Sequence, residues 1–150
     1  MLTAQDIMTR QVHAVTEETT VEELARLFVE TGVSAMPVLD EDGHLTGIVT
    51  ETDLIEQDKP LHIPTVISLF DWVIYLESEK SFQKEVRKIT ARKVGAICAK
   101  DVVTCSSGTP VPEVADLMVK HKVHLVPVVN SERKVLGVVA RLDIIRSLGR

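Results

Sequence analysis

The sequence predicts an α/β protein, more finely an α+β one, made of two pseudo-symmetric β-α-β-β-α repeats with a helical insertion between them. Three observations carry that expectation. First, 45% of the 150 residues are hydrophobic and 26% charged, the mixture of a globular chain. Second, with only three Phe, one Trp and one Tyr, the core has to be built from Val, Ile, Leu and Ala, a supply rich in β-branched residues. Third, the chain repeats itself: a shift of 90 residues lays residues 7–55 on residues 97–145 without a gap. A repeat decides architecture before any single element does.

In the first half, Thr20 followed by Glu23 predicts a capped helix with Val21, Leu24, Ala25 and Phe28 on one face, ended by Gly32. Residues 35–39 read as a short buried strand, 40–44 as a turn around Gly43, and 45–49 as a second strand antiparallel to the first. Thr50 and Thr52 offer N-caps to a helix carrying Leu54 and Ile55. The second half predicts the same order: a helix over 110–121 with Pro110 at its start, strand 125–129, turn 130–134, strand 135–139 and a helix over 141–148. A unit of about 50 residues buries too little surface to be secure alone. The halves are therefore expected to pack face to face as residues 1–56 and 95–150.

The insertion, residues 57–94, holds four of the five aromatics, which argues for an ordered element rather than a Gly/Ser linker. Its apolar run, 66–76, contains Trp72 and Tyr75, and residues 81–90 read as a helix with Phe82, Val86 and Ile89 on one face. The bland reading is a helix covering the open side of the repeat pair; the sharper one is an association surface. Lys80, Lys84, Arg87, Lys88, Arg92 and Lys93 form a basic run, ordinarily a solvated helix face, with contact to a bound phosphate as the alternative.

Charge and patterning remove several function classes. A net charge of −5 supplies no field to draw the chain onto nucleic acid or an anionic membrane. No stretch holds the ~18 uninterrupted apolar residues of a membrane helix, and the start lacks a secretory pattern, so a cytoplasmic location is expected. Cys98 and Cys105 are too few for a disulfide framework and read as small buried hydrophobes. His121 and His124 lack the companions a metal site needs, and no phosphate-loop or dinucleotide fingerprint appears.

The residues suited to chemistry come in two matched sets: Gly47-Ile48-Val49-Thr50-Glu51-Thr52-Asp53 and Gly137-Val138-Val139-Ala140-Arg141-Leu142-Asp143. Each is delivered by a strand to a helix start, where backbone N–H groups favour an anion and a Thr hydroxyl adds a donor. A carboxylate three residues later accepts two hydrogen bonds, which suits the vicinal hydroxyls of a ribose; plain helix capping is the competing reading. The glycines allow a ligand or a second backbone to come close. Upstream, Ala35-Met36-Pro37 and Leu125-Val126-Pro127 present apolar edges on which a purine could lie.

On these residues the sequence resembles a tandem pair of cystathionine-β-synthase-type (CBS) domains, a Bateman module, over nearly the whole chain. The resemblance implies clefts for adenosine ligands such as AMP, ADP, ATP or S-adenosylmethionine. It assigns Asp53 to ribose, Thr50 to phosphate, and Val12, Ala35 and Met36 to the base. In the second set it gives Asp143 the ribose role and Val102, Leu125 and Val126 the base; Ala140 stands where a hydroxyl is expected, with Arg141 one residue on to supply charge. It implies a non-catalytic regulatory module with no cofactor beyond such a ligand, a homodimer, and a separate regulated protein as partner. Two other classes stand beside it: a structural homodimerisation module with degenerate sites, and a nucleotide-processing enzyme using Glu51 as base.

Overall fold

The computed structural model describes residues 1–56 and 92–149; the expected apolar run 66–76 and helix 81–90 lie outside the described residues. The first repeat contributes α1 (Ala4–Ile7), α2 (Val21–Thr31), β1 (Ala35–Leu39), β2 (Leu45–Thr50) and α3 (Glu51–Glu56). The second contributes α4 (Val94–Ile97), α5 (Val111–His121), β3 (Leu125–Val129), β4 (Val135–Ala140) and α6 (Arg141–Ser147).

Local chemistry accounts for the long helices. The Thr20 hydroxyl accepts from the Glu23 N–H at 3.1 Å, satisfying one of the donors a helix start leaves open. Gly32 closes α2 in the left-handed region with φ 71°, which glycine adopts without a side-chain penalty. At the matching end of α5 the same conformation is taken by Lys122, φ 55°, a residue for which it carries a cost.

Each repeat forms a two-stranded antiparallel hairpin in the same register. Ala35 faces Thr50 and Val38 faces Gly47; Leu125 faces Ala140 and Val128 faces Gly137. Both second strands run one residue beyond the expected end because Thr50 and Ala140 still pair. The leading strand of each repeat contracts to one parallel bridge, Val15 to Val38 and Cys105 to Val128. Directly after it, the hydroxyls of Thr19 and Thr109 accept from the N–H groups of Thr16 and Ser106, both at 3.1 Å, and these turns deflect the chain before a longer strand can form.

The repeats exchange their leading segments. Ala4 and Ile7 of α1 pack into the second-repeat core with Val111, Val114, Val126, Val128 and Val139. Val94 of α4 packs into the first-repeat core with Val15, Leu24, Phe28, Met36, Val38 and Val49. The residues that follow these helices pair with the opposite hairpin: Thr9 exchanges backbone hydrogen bonds with Val138 at 2.8 and 3.0 Å, and Ala99 with Ile48 at 2.9 Å in both directions. The hairpin turns also join, Leu45 N–H donating to the Arg133 carbonyl and Val135 N–H to that of Gly43. Burying each such Val or Ile contributes about 1.5–3 kcal/mol, so neither hairpin core is complete without the other repeat.

This crossing explains Gly47 and Gly137. A β-carbon on Gly47 would stand 2.8 Å from the Ala99 carbonyl oxygen, and one on Gly137 would stand 2.9 Å from that of Thr9. Of the two reasons the sequence offers for a glycine there, a second backbone is the one present.

Candidate functional site

A cavity of about 330 Å³ lies between the repeats. One wall is the start of β1, with Ser34, Ala35 and Pro37 after Val33 and Gly32; the facing wall is the start of β3, with His124 and Leu125. Its floor is Val138, Ala140, Arg141 and Leu142 where β4 passes into α6, and the exchanged segment supplies Thr9, Gln11 and His13. The size falls in the range of small-ligand sites, and the mixture of apolar walls with a few polar groups suits a flat ring carrying a polar tail.

The crossed packing puts these groups together. Because Thr9 is hydrogen-bonded to Val138, the residues after it are carried over the second hairpin, so Gln11 and His13 from the first repeat reach a cavity floored by the second. Arg141 makes no ion pair with any described residue. The lining thus holds one permanent cation, two imidazoles and no carboxylate among the described residues.

Both expected acids sit at their helix starts. Asp53 Oδ2 accepts from the Thr50 N–H at 2.9 Å while the Thr50 hydroxyl accepts from the Asp53 N–H at 3.2 Å, a reciprocal capping box. Asp143 Oδ2 accepts from the Ala140 N–H at 2.8 Å, and Ala140 has no hydroxyl to return the bond. Asp143 is 8% exposed; it meets the Thr9 hydroxyl at 3.4 Å and Arg146 Nη1 at 3.6 Å. The backbone N–H groups of Thr50 and Ala140, expected to face an anion, are therefore taken by their own helices' carboxylates.

Of the remaining expected site residues, Ala35, Pro37, Leu125 and Arg141 line the cavity. Met36 and Val126 point into the two separate cores and are 0% exposed, as alternation along a strand requires of the neighbours of lining residues. Val12 and Val102 are half-buried, and Val12 stays outside the lining although Gln11 and His13 on either side belong to it. Gly47 and Gly137 are closed by the exchanged segments; Thr50, Asp53, Pro127 and Asp143 are not part of this cavity's wall. Thr9, Gln11, His13, Ser34 and His124 escape a reading by motif. The one signal for them is the 90-residue register, which pairs His124 with Ser34 as equivalent positions at the strand starts.

Elsewhere, Asp40, Asp42 and His44 gather within 4.8 Å in an exposed turn. Asp40 accepts there from the N–H groups of Asp42 and His44, both at 2.9 Å. The His44 N–H is the main reason its carboxyl lies below the usual carboxylate range. Burial pushes the Cys105 thiol up to about 11, so it is no nucleophile at neutral pH. Among the described residues no helix is long and apolar enough to cross a membrane.

Two crossed β-α-β-β-α units around a shared cleft define a paired-repeat domain, and comparison gives it a family. The CBS domain family matches residues 4–59 and again 94–150, so the chain belongs to the CBS domain family and carries two copies. It is 28% identical to the uncharacterized protein MJ1426 of Methanocaldococcus jannaschii over 96% of this chain and 89% of that one. It is 29% identical to the CBS domain-containing protein CBSX1, chloroplastic, of Arabidopsis thaliana over 97% of this chain and 63% of that protein. Among solved structures it resembles CBSX2 in complex with AMP, with a TM-score of 0.75 and 25% identity covering 99% of this chain and 96% of that one. It also resembles the CBS domain of a CBS domain containing membrane protein from Sphaerobacter thermophilus, with a TM-score of 0.73 and 27% identity covering 97% and 87%. The expected Bateman-type α+β architecture is thus found.

Proposed function

We propose that the chain is a non-catalytic regulatory module that binds an adenosine-containing ligand (AMP, ADP, ATP or S-adenosylmethionine) between its repeats and acts on another protein, as a cytoplasmic homodimer. The observation that carries this reading is the cavity walled by the β1 and β3 starts of opposite repeats, whose apolar Ala35, Pro37 and Leu125 suit a flat ring such as a purine. The AMP complex of the related CBSX2 supports the same ligand class. Helix capping by Asp53 is compatible with a ribose role, since a carboxylate offers about four acceptor positions and the Thr50 N–H uses one; Asp143 is already engaged by Ala140, Thr9 and Arg146. Because the cavity is made by both repeats, a ligand that fits one relative placement better than another shifts the population toward it.

Glu51 has no imidazole, thiol or second acid of the described residues bonded to it, so catalysis draws no support from geometry. The structural homodimerisation module keeps one specific observation in its favour: Ala140 leaves the second capping box without a hydroxyl. Thermal denaturation with AMP, ADP, ATP and S-adenosylmethionine separates the two. A site filled at 100 times its dissociation constant adds about 2.7 kcal/mol, a rise of several degrees. That rise is expected in the wild-type chain and diminished in Asp53→Ala or Asp143→Ala; a flat response to every ligand leaves the scaffold reading.

A further inference from the structure

The exchange fastens each repeat's leading helix to a turn of the other repeat, and the 90-residue register allows the two fastenings to be compared. At α4, the Val94 N–H donates to the Thr19 carbonyl at 2.8 Å and the Gly95 N–H to that of Glu17 at 3.0 Å. At α1, the Ala4 N–H donates to the Thr109 carbonyl at 2.8 Å and the Gln5 N–H to that of Ser107 at 3.0 Å. The backbone frames coincide; the side chains do not. Glu17 and Glu18 pair with Lys100 and Lys93, whereas the equivalents are Ser107 and Gly108 for the acids and Arg10 and Thr3 for the lysines. The second pair is thus missing both its charges, and the first only its acid. Arg10 is exposed and makes no ion pair with any described residue.

Ser107 is the hydroxyl placed to receive the missing charge. Its neighbours are committed to the turn: the Ser106 and Thr109 hydroxyls meet at 3.0 Å and Thr109 also accepts from the Ser106 N–H, as Thr16 and Thr19 do in the first repeat. The Ser107 hydroxyl bonds to no described residue, is half-buried, and lies on an open concavity of about 720 Å³ shared with Thr104, Asn130 and Leu136. We propose that Ser107 is a phosphorylation site, modified by a serine kinase at the expense of a nucleoside triphosphate, and that the phosphoryl group pairs with Arg10 as Glu17 pairs with Lys100. In the transfer the Ser107 oxygen bonds to the γ-phosphorus, the bond from that phosphorus to the bridging oxygen breaks, and the nucleoside diphosphate leaves with the electron pair; the hydroxyl proton passes to the kinase's base. The phosphoryl oxygens then stand as many bonds from the backbone as the carboxylate oxygens of a glutamate. They carry a charge of about −1.5 to −2 at neutral pH, which an arginine meets through two parallel donors. Arg10 lies between Thr9 and Gln11, both in the cavity's lining, so the pair fastens the segment that crosses into the cleft, whatever ligand the cleft takes.

Mass-spectrometric peptide mapping of the full chain, isolated from its own cells with phosphatases inhibited and again after phosphatase treatment, is expected to find phosphate on Ser107 in the first sample alone. Phosphate absent from Ser107 overturns the proposal, whichever other residues carry it. The pairing is read on the full chain synthesised with Ser107 phosphorylated. Its thermal midpoint should exceed that of the unmodified chain by about 2–4 °C, and the gain should shrink in high salt and disappear in Arg10→Gln. Ser107→Glu should reproduce part of the gain in the presence of Arg10 alone. Because Arg10 is exposed and unpaired among the described residues, Arg10→Gln leaves the midpoint of the unmodified chain in place. An equal gain with and without Arg10, or no gain, overturns the pairing and with it the proposal.

Discussion

The hydroxyl of Thr9 lies 3.4 Å from Oδ1 of Asp143, tying the segment after the first short helix to a carboxylate near the far end of the chain. Asp143 also accepts from Ala140 at 2.8 Å. The carboxylate therefore caps α6 and fastens it to the segment that crosses from the other repeat.

Removing it should cost more than removing its counterpart. Asp143→Ala is expected to lose about 1–3 kcal/mol, since burial leaves the Ala140 N–H without its acceptor. Asp53→Ala, half-buried, should lose about 0.5–2 kcal/mol, the ordinary value of a cap. Urea denaturation of the two variants measures the order, and equal losses would mean the Thr9 contact contributes nothing.

Gly137→Ala and Gly47→Ala should each destabilise the chain by about 1–3 kcal/mol, the usual penalty of overpacking. At both positions a carbonyl of the exchanged segment, which cannot rotate away, stands within 2.9 Å of the added β-carbon, and at Gly137 the Met8 sulfur comes closer still at 2.6 Å. A thermal midpoint within one degree of wild type for either variant contradicts the close approach.

Lys122 and Arg133 hold the left-handed conformation at φ 55° and 67°, at the positions equivalent to Gly32 and Gly43. Lys122→Gly should stabilise by about 0.5–1 kcal/mol because the native conformation becomes unstrained there. Differential scanning calorimetry should register a higher midpoint; a lower one would show that the Lys122 side chain contributes more than its backbone costs.

Cys105, raised from 9.0 to about 11 by burial, should resist alkylation at pH 8 in the native protein and react once the chain is unfolded. The sign for stability follows. Between pH 9 and 11 the unfolded thiol ionises first, so stability is full below 9 and falls as pH rises through that window. Mass-spectrometric mapping of iodoacetamide adducts checks the first statement; rapid native labelling of Cys105 contradicts it.

The hairpins were legible residue by residue because Pro37, Gly47 and their mates recur at one register, and α2 and α5 because cap and periodicity agree. The helices Ala4–Ile7 and Val94–Ile97 were not legible as helices: four residues give no period to read. Their exchange between cores goes beyond the expectation that the two halves pack face to face. The cavity followed the same division. Ala35, Pro37, Leu125 and Arg141 belong to the motif and line the cavity; His13, Gln11 and Thr9 reach it only through the exchange, and no local pattern marks them. Met36 and Val126 carry the motif equally well, yet strand alternation turns them inward, a matter of phase that an unbroken apolar run such as Ala-Met-Pro-Val-Leu conceals.

Val94 completes a core whose other members, Val15 to Val49, are all translated first. During synthesis the N-terminal half accordingly emerges from the ribosome with an unfilled socket, and must wait for some forty further residues before it can close, an interval in which chaperones or a neighbouring nascent copy offering its own Val94 compete for the same place.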